Sequence, residues 1–177
     1  RVRPSSDENK IVTNAKKHFE KTLVEISGEL VGSVAALEHP TKNKKLNYGE
    51  IFLRDNVPVM IYLITQKRYE IVKKFLTVCL ELQSTNYQTR GVFPTSFVEE
   101  NGKLIGDYGQ RSIGRITSAD ASLWWPILCW YYVNKSGDYA FGKSQSVQRG
   151  IQLLLDLVLH PTFEGTPVLF VPDCAFM

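Results

Sequence analysis

The sequence predicts an all-α fold, with helices in pairs joined by long irregular loops at one end, as in an αα-hairpin array or an α/α toroid. Two observations lead there. Apolar residues recur every three or four positions along most of the 177 residues, which lines them up on one helix face. The interruptions are long, rich in glycine and loaded with polar and aromatic residues. No internal repeat of fixed length is present, so a solenoid is disfavoured.

Taken in order, Ile11, Ala15, Phe19, Leu23 and Ile26 give an apolar face to a helix from about Asn9. A short apolar stretch follows, Leu30 to Leu37, with Gly32 inside it. The loop His39 to Lys45, broken by Pro40, separates it from the next unit. Asp55 or Asn56 is placed to cap a helix from Val57 to about Gln66, whose early turn holds Pro58 at little cost. Tyr69 to Gln83 is the clearest amphipathic helix, with Ile71, Val72, Phe75, Cys79 and Leu82 opposite Lys73, Lys74 and Glu81.

Ser84 to Ala119 differs. It carries Gly91, Pro94, Gly102, Gly106, Gly109 and Gly114 and no sustained helical period, and connections of that length often carry function. Helix signals resume between Ser118 and Ser122 and run through Asn134, with Pro126 near the first turn. Gly137 marks a turn. A last helix covers Ser144 to about His160, with Val147, Ile151, Leu154, Leu155 and Val158 inward. The apolar tail Val168 to Met177 needs partners, either as a docked strand or within a longer protein.

Composition excludes several classes. Hydrophobic content of 44% with 22% charged residues is that of a globular protein rather than a disordered one. A net charge of +3, with Lys42, Lys44 and Lys45 as the only tight basic run, does not point to nucleic acid. Arg1 to Lys10 lacks the apolar core of a signal peptide, and no segment offers a membrane span of about 20 apolar residues. His18, His39 and His160 are scattered, and Cys79, Cys129 and Cys174 lack metal-ligand spacing, so no metal or other cofactor is expected. Cys79 and Cys129 sit in apolar helical stretches as small core side chains. The expectation is a cytoplasmic protein.

Four clusters set carboxylates, amides or guanidinium groups beside aromatics at loop–helix junctions: Asn47 to Asp55, Gly91 to Phe97, Asp107 to Arg115, and Ser118 to Trp125. Sugar sites need this mixture, because hydroxyls take bidentate polar partners while the C–H faces of the ring lie on aromatic surfaces. By itself, Asp120 is most simply a helix N-cap, Trp124, Trp125 and Trp130 are core, and Arg54-Asp55 and Asp107…Arg115 are structural ion pairs.

The clusters together resemble the neutral/alkaline invertases. Leu46-Asn47-Tyr48 to Arg54-Asp55, followed by Val57-Pro58, is similar to their "LNY…RD..P" segment. Gly91 to Phe97 resembles "G.MP.SF", with Phe93 in the usual Met position. Asp107 to Arg115 resembles "DFGE.AIGR", Asp120 to Trp125 resembles "DSGLWW", and Val171-Pro172-Asp173 matches a further segment. Order and spacing agree from about Val31 to Met177, and five weak motifs in register make a strong one.

The resemblance implies that residues 1–177 are a single partial domain, the N-terminal portion of an (α/α)₆ barrel that hydrolyses sucrose to glucose and fructose by inversion, without metal. Inversion needs two carboxyl groups about 6.5–9.5 Å apart, one protonating the leaving oxygen and one activating water. Asp120 falls at the family's general acid; the general base is expected beyond Met177, so this chain alone is expected to be inactive. Arg54, Asp55, Phe93, Ser96, Asp107, Gln110, Arg115, Trp124 and Trp125 are the implied substrate-binding residues. A tendency to form homo-oligomers is implied too. Asn56 stands in place of an aromatic, Gln110 of Glu, Ala121-Ser122 of Ser-Gly and Pro126 of an aliphatic residue. Asn56 and Gln110 keep open a related inverting hydrolase acting on another small glucoside, and a sugar-site shape without the base keeps open a non-catalytic helical sugar-binding module.

Overall fold

A computed structural model describes residues 6–34, 48–87, 89–108 and 120–159. Its elements are α1 (Ser6–Glu20), β1 (Leu23–Ile26), β2 (Glu29–Ser33), β3 (Ile51–Phe52), α2 (Leu53–Thr65), α3 (Tyr69–Glu81), β4 (Ser96–Glu100), β5 (Lys103–Asp107), α4 (Ala121–Ser136), α5 (Tyr139–Gly142) and α6 (Gln145–Val158). The fold is mainly helical, but all-α needs correction. Two small antiparallel sheets are present, β1-β2 and β3-β4-β5.

Turn chemistry makes both hairpins. Ile26 pairs with Glu29 across Ser27 and Gly28, at φ 52° and 80°. Glu100 pairs with Lys103 across Asn101 and Gly102, at φ 52° and 74°. Two successive residues with positive φ form the tight turn whose twist matches a hairpin, and Asn-Gly is its strongest sequence signal. The first helix therefore ends at Glu20, and Leu23 and Ile26 belong to β1. Ser84 to Ala119 likewise contains β4 and β5.

The core lies between α2, α3 and α4, where Met60, Leu63, Val72, Phe75, Leu76, Trp125 and Leu128 are fully buried. The helix predicted from Tyr69 forms as α3 with its expected face inward, Ile71, Val72, Phe75 and Cys79 among the buried residues. Ser144 caps α6 by accepting the Val147 N–H, and Gly137 ends α4 in the left-handed conformation. On α6 Val147, Gly150 and Leu154 are buried and Ile151 and Val158 pack against the core, whereas Leu155 is exposed.

α2 begins earlier than its sequence indicates. Strand β3 runs straight into it, and the N–H of Leu53, an orphan donor of the first turn, goes to Thr95 O at 2.9 Å instead of a side-chain cap. Asn56 is buried inside the helix and turned toward β2. It accepts from Ser33 N at 2.7 Å and donates to Ser33 O and Phe52 O at 2.8 Å each. Neither Asp55 nor Asn56 is the cap.

The loop after α3 is held from both ends. Gln83 Nε2 donates to Gly91 O and Gly150 O, both at 2.9 Å. Gly91 has φ +96°, and a Cβ there would collide with the Leu153 carbonyl, so only glycine fits. Farther on, Thr95 N donates to Asp107 O at 2.7 Å. The loop thus links α3 and α6 to the three-stranded sheet.

Candidate active site

Asp120 precedes α4 and its carbonyl accepts from Leu123 N and Trp124 N at 3.0 and 3.1 Å. Its side chain makes no capping hydrogen bond, because its backbone is already helical at φ −78°, ψ −19°. An N-cap carboxylate needs extended backbone to curl back on the N2 or N3 amide. Here the carboxylate is turned sideways. Oδ2 accepts from Trp124 Nε1 at 3.3 Å, and Arg54 Nη1 lies 3.4 Å from Oδ1. The simple capping role does not account for it.

Two elements set this geometry. Trp124 is one helical turn after residue 120, so its indole lies over the same face. Arg54 stands in the first turn of α2, at the end of the sheet where β3 becomes helix. Arg54, Asp120 and Trp124 all remain open to solvent, at 36%, 32% and 37% exposure. When protonated, a half-open carboxyl between a guanidinium and an indole can give its proton to a bound ether oxygen and become the carboxylate. It can also bind a sugar.

Trp125 is different. It is fully buried, its ring stacks on Phe93 with centroids 4.7 Å apart and planes 16° apart, and its Nε1 donates to Leu76 O at 3.1 Å. Ser96 is fully buried and donates its hydroxyl to Glu50 Oε2 at 2.6 Å. Asp107 is buried and pairs with Ser96 across β4 and β5. Phe93, Ser96, Asp107 and Trp125 are thus buried in this chain, whereas Arg54, Asp120 and Trp124 are open to solvent. Asp55 is exposed in the first turn of α2. Gln110 and Arg115 lie outside the described residues, as do Gly109, Gly114, the loop His39 to Lys45 and the segment Pro161 to Met177 with Asp173 and Cys174.

Glu50, absent from the expected site residues, joins the buried polar layer behind the sheet at 6% exposure. Its signal was its position inside the Asn47–Asp55 cluster. Ser122 was missed in the same way: its Oγ accepts from Phe93 N at 3.0 Å, in the buried first turn of α4. Burial holds the Cys79 thiol well above its ordinary pKa and pushes Cys129 up to about 11, so both stay neutral. Among the described residues, no group of three or more His, Cys, Asp or Glu is placed to hold a metal ion, and no helix is long and apolar enough to cross a membrane.

A mainly helical fold with a carboxylate, a guanidinium and an indole gathered at a helix start fits the glycoside hydrolase class. The alkaline and neutral invertase family matches residues 15–177, and the chain belongs to it. Alkaline/neutral invertase CINV2 of Arabidopsis thaliana is 32% identical over 97% of this chain and 33% of its own length. Neutral/alkaline invertase 1, mitochondrial, of Oryza sativa subsp. japonica is 36% identical over 89% of this chain and 28% of its own. Cytosolic invertase 1 of the same rice is 31% identical over 96% and 32%. The chain thus spans about a third of the length of these relatives.

Proposed function

We propose that this chain is the proton-donor portion of an (α/α)₆-barrel glycoside hydrolase that cleaves sucrose with inversion. Asp120 protonates the bridging oxygen, so that the C–O bond to the glucosyl carbon breaks as water adds from the opposite face. Trp124 fixes the carboxyl through its indole N–H and offers an edge to the sugar. Arg54 binds a substrate hydroxyl and holds the carboxylate once the proton has left. The second carboxyl, which deprotonates the water, belongs to a part of the protein beyond residue 177. The observation that carries this reading is that the Asp120 carboxylate leaves its capping position for Arg54 and Trp124.

Sucrose is favoured over another glucoside because Asn56, one of the two departures that motivated the alternative, is occupied by β2 and not by a site. For location we favour the cytoplasm. The relatives' names support it only in part, one being cytosolic and others mitochondrial or chloroplastic. The test uses the full-length protein with sucrose, trehalose and glucosylglycerate, following fresh product by proton NMR. The expected result is turnover of sucrose with β-glucose appearing before α-glucose. Initial α-glucose, or preference for another substrate, contradicts the proposal.

A further inference from the structure

We infer that Ser122 is a positioning residue for the Asp120 turn, acting through the backbone amide of Phe93; this rests on the proton-donor reading above. The first turn of α4 is short of internal hydrogen bonds. It has no side-chain cap, and Pro126 has no N–H to give to the carbonyl of Ser122, four residues earlier. Such a turn can unwind or rotate unless something outside the helix grips it.

The grip is on the inward side. Ser122 is 7% exposed, and its Oγ accepts the Phe93 N–H at 3.0 Å. Three residues on, Trp125 stacks on the Phe93 ring. Residues 122 and 125 therefore clasp one loop residue from behind, while 120 and 124 carry the open carboxylate and indole in front. The clasped loop is itself tied down. Gln83 holds Gly91 O, and Thr95 O takes the N–H of Leu53, the residue beside Arg54. One short path of hydrogen bonds thus runs from α4 through Ser122, the loop and Thr95 to the first turn of α2. Its ends are the two residues whose side chains meet, Asp120 and Arg54. A small shift at residue 122 is passed to the place where the Asp120 carboxyl meets Arg54 and Trp124.

The experiment compares full-length wild type with Ser122→Ala and Ser122→Thr, with sucrose as substrate and selective ¹⁵N labelling of tryptophan. Expected for Ser122→Ala is a roughly tenfold lower kcat with KM within about twofold, since misplaced reacting groups cost rate more than binding. The Trp124 indole N–H resonance, assigned by its loss in Trp124→Phe, moves toward a water-exposed position. Ser122→Thr, which keeps the hydroxyl, restores both. The inference is overturned if Ser122→Ala leaves kcat and the indole resonance unchanged, or if Ser122→Thr loses as much as Ser122→Ala. Should Ser122→Ala fail to fold, Ser122→Cys, whose sulfur is a weaker acceptor, carries the same comparison with the same outcomes. If the wild type does not cleave sucrose, the proposed function fails. The Trp124 resonance then decides alone: displaced in Ser122→Ala it supports the clasp, undisplaced it overturns it.

Discussion

At Trp124 and Trp125, adjacent residues serve opposite ends. A step of one position turns a helix by about 100°, so one indole meets the open Asp120 carboxylate and the other stacks in the core. The sequence held the pair but not the assignment, because α4 is apolar on every side and offers no polar face to orient it. Asn56 was misread for a related reason. A buried amide cannot announce its partners in advance, and here they are the backbone groups of Ser33, which only tertiary packing brings near. Asn56→Ala strands a buried donor and acceptor on β2. It is expected to destabilise the fold by about 2–3 kcal/mol without changing which sugar is cleaved. Chemical denaturation and a substrate panel check this together; a switch in substrate would return Asn56 to the site.

Among the elements, α3 and α6 were legible from their apolar periodicity, α6 with Ser144 at its start, and the end of α4 was legible from Gly137. The hairpins were not read: Ser27-Gly28 and Asn101-Gly102 are turn signals, but the density of glycine masked the alternation around the second, and Leu23 and Ile26 fitted a helical period before the first. Nor was the start of α2. Its capping acceptor is a carbonyl of residue 95, distant in sequence. Asp138 joins three elements. It accepts from Lys73 Nζ at 2.7 Å, Tyr132 OH at 3.0 Å and Phe141 N at 3.0 Å. The Lys73 bond, then the Phe141 amide, hold its carboxyl below the ordinary 3.8. Burial above all, with Asp138 beside it, pushes Tyr132 up to about 12. A depressed carboxyl stabilises the fold above its unfolded pKa, and that contribution fades as pH falls through the folded value. Asp138→Asn is expected to cost about 1 kcal/mol at neutral pH. The deficit should shrink below pH 4 in urea melts; a deficit independent of pH would show that the charge of Asp138 contributes nothing.

At the scale of the whole molecule, the chain supplies one half-open carboxyl with its guanidinium and indole, on a frame about a third as long as its relatives. The five motifs in register identified the family, and fine geometry could not be read from them. Four of the implied sugar contacts, Phe93, Ser96, Asp107 and Trp125, are buried, because a motif's spacing carries no information about which of its side chains face inward. Inversion needs a second carboxyl across the sugar ring. The isolated 177-residue chain is therefore expected to release no glucose from sucrose above background, as a coupled glucose assay would record. Measurable release would place the base within these residues.

The most direct measurement is the rate of sucrose hydrolysis by the full-length protein beside its Asp120→Asn variant, with both shown to be folded. Removing a general acid is expected to lower kcat at least about a hundredfold while KM changes little. A variant that retains activity within a few-fold of wild type would contradict the assignment of Asp120 as proton donor.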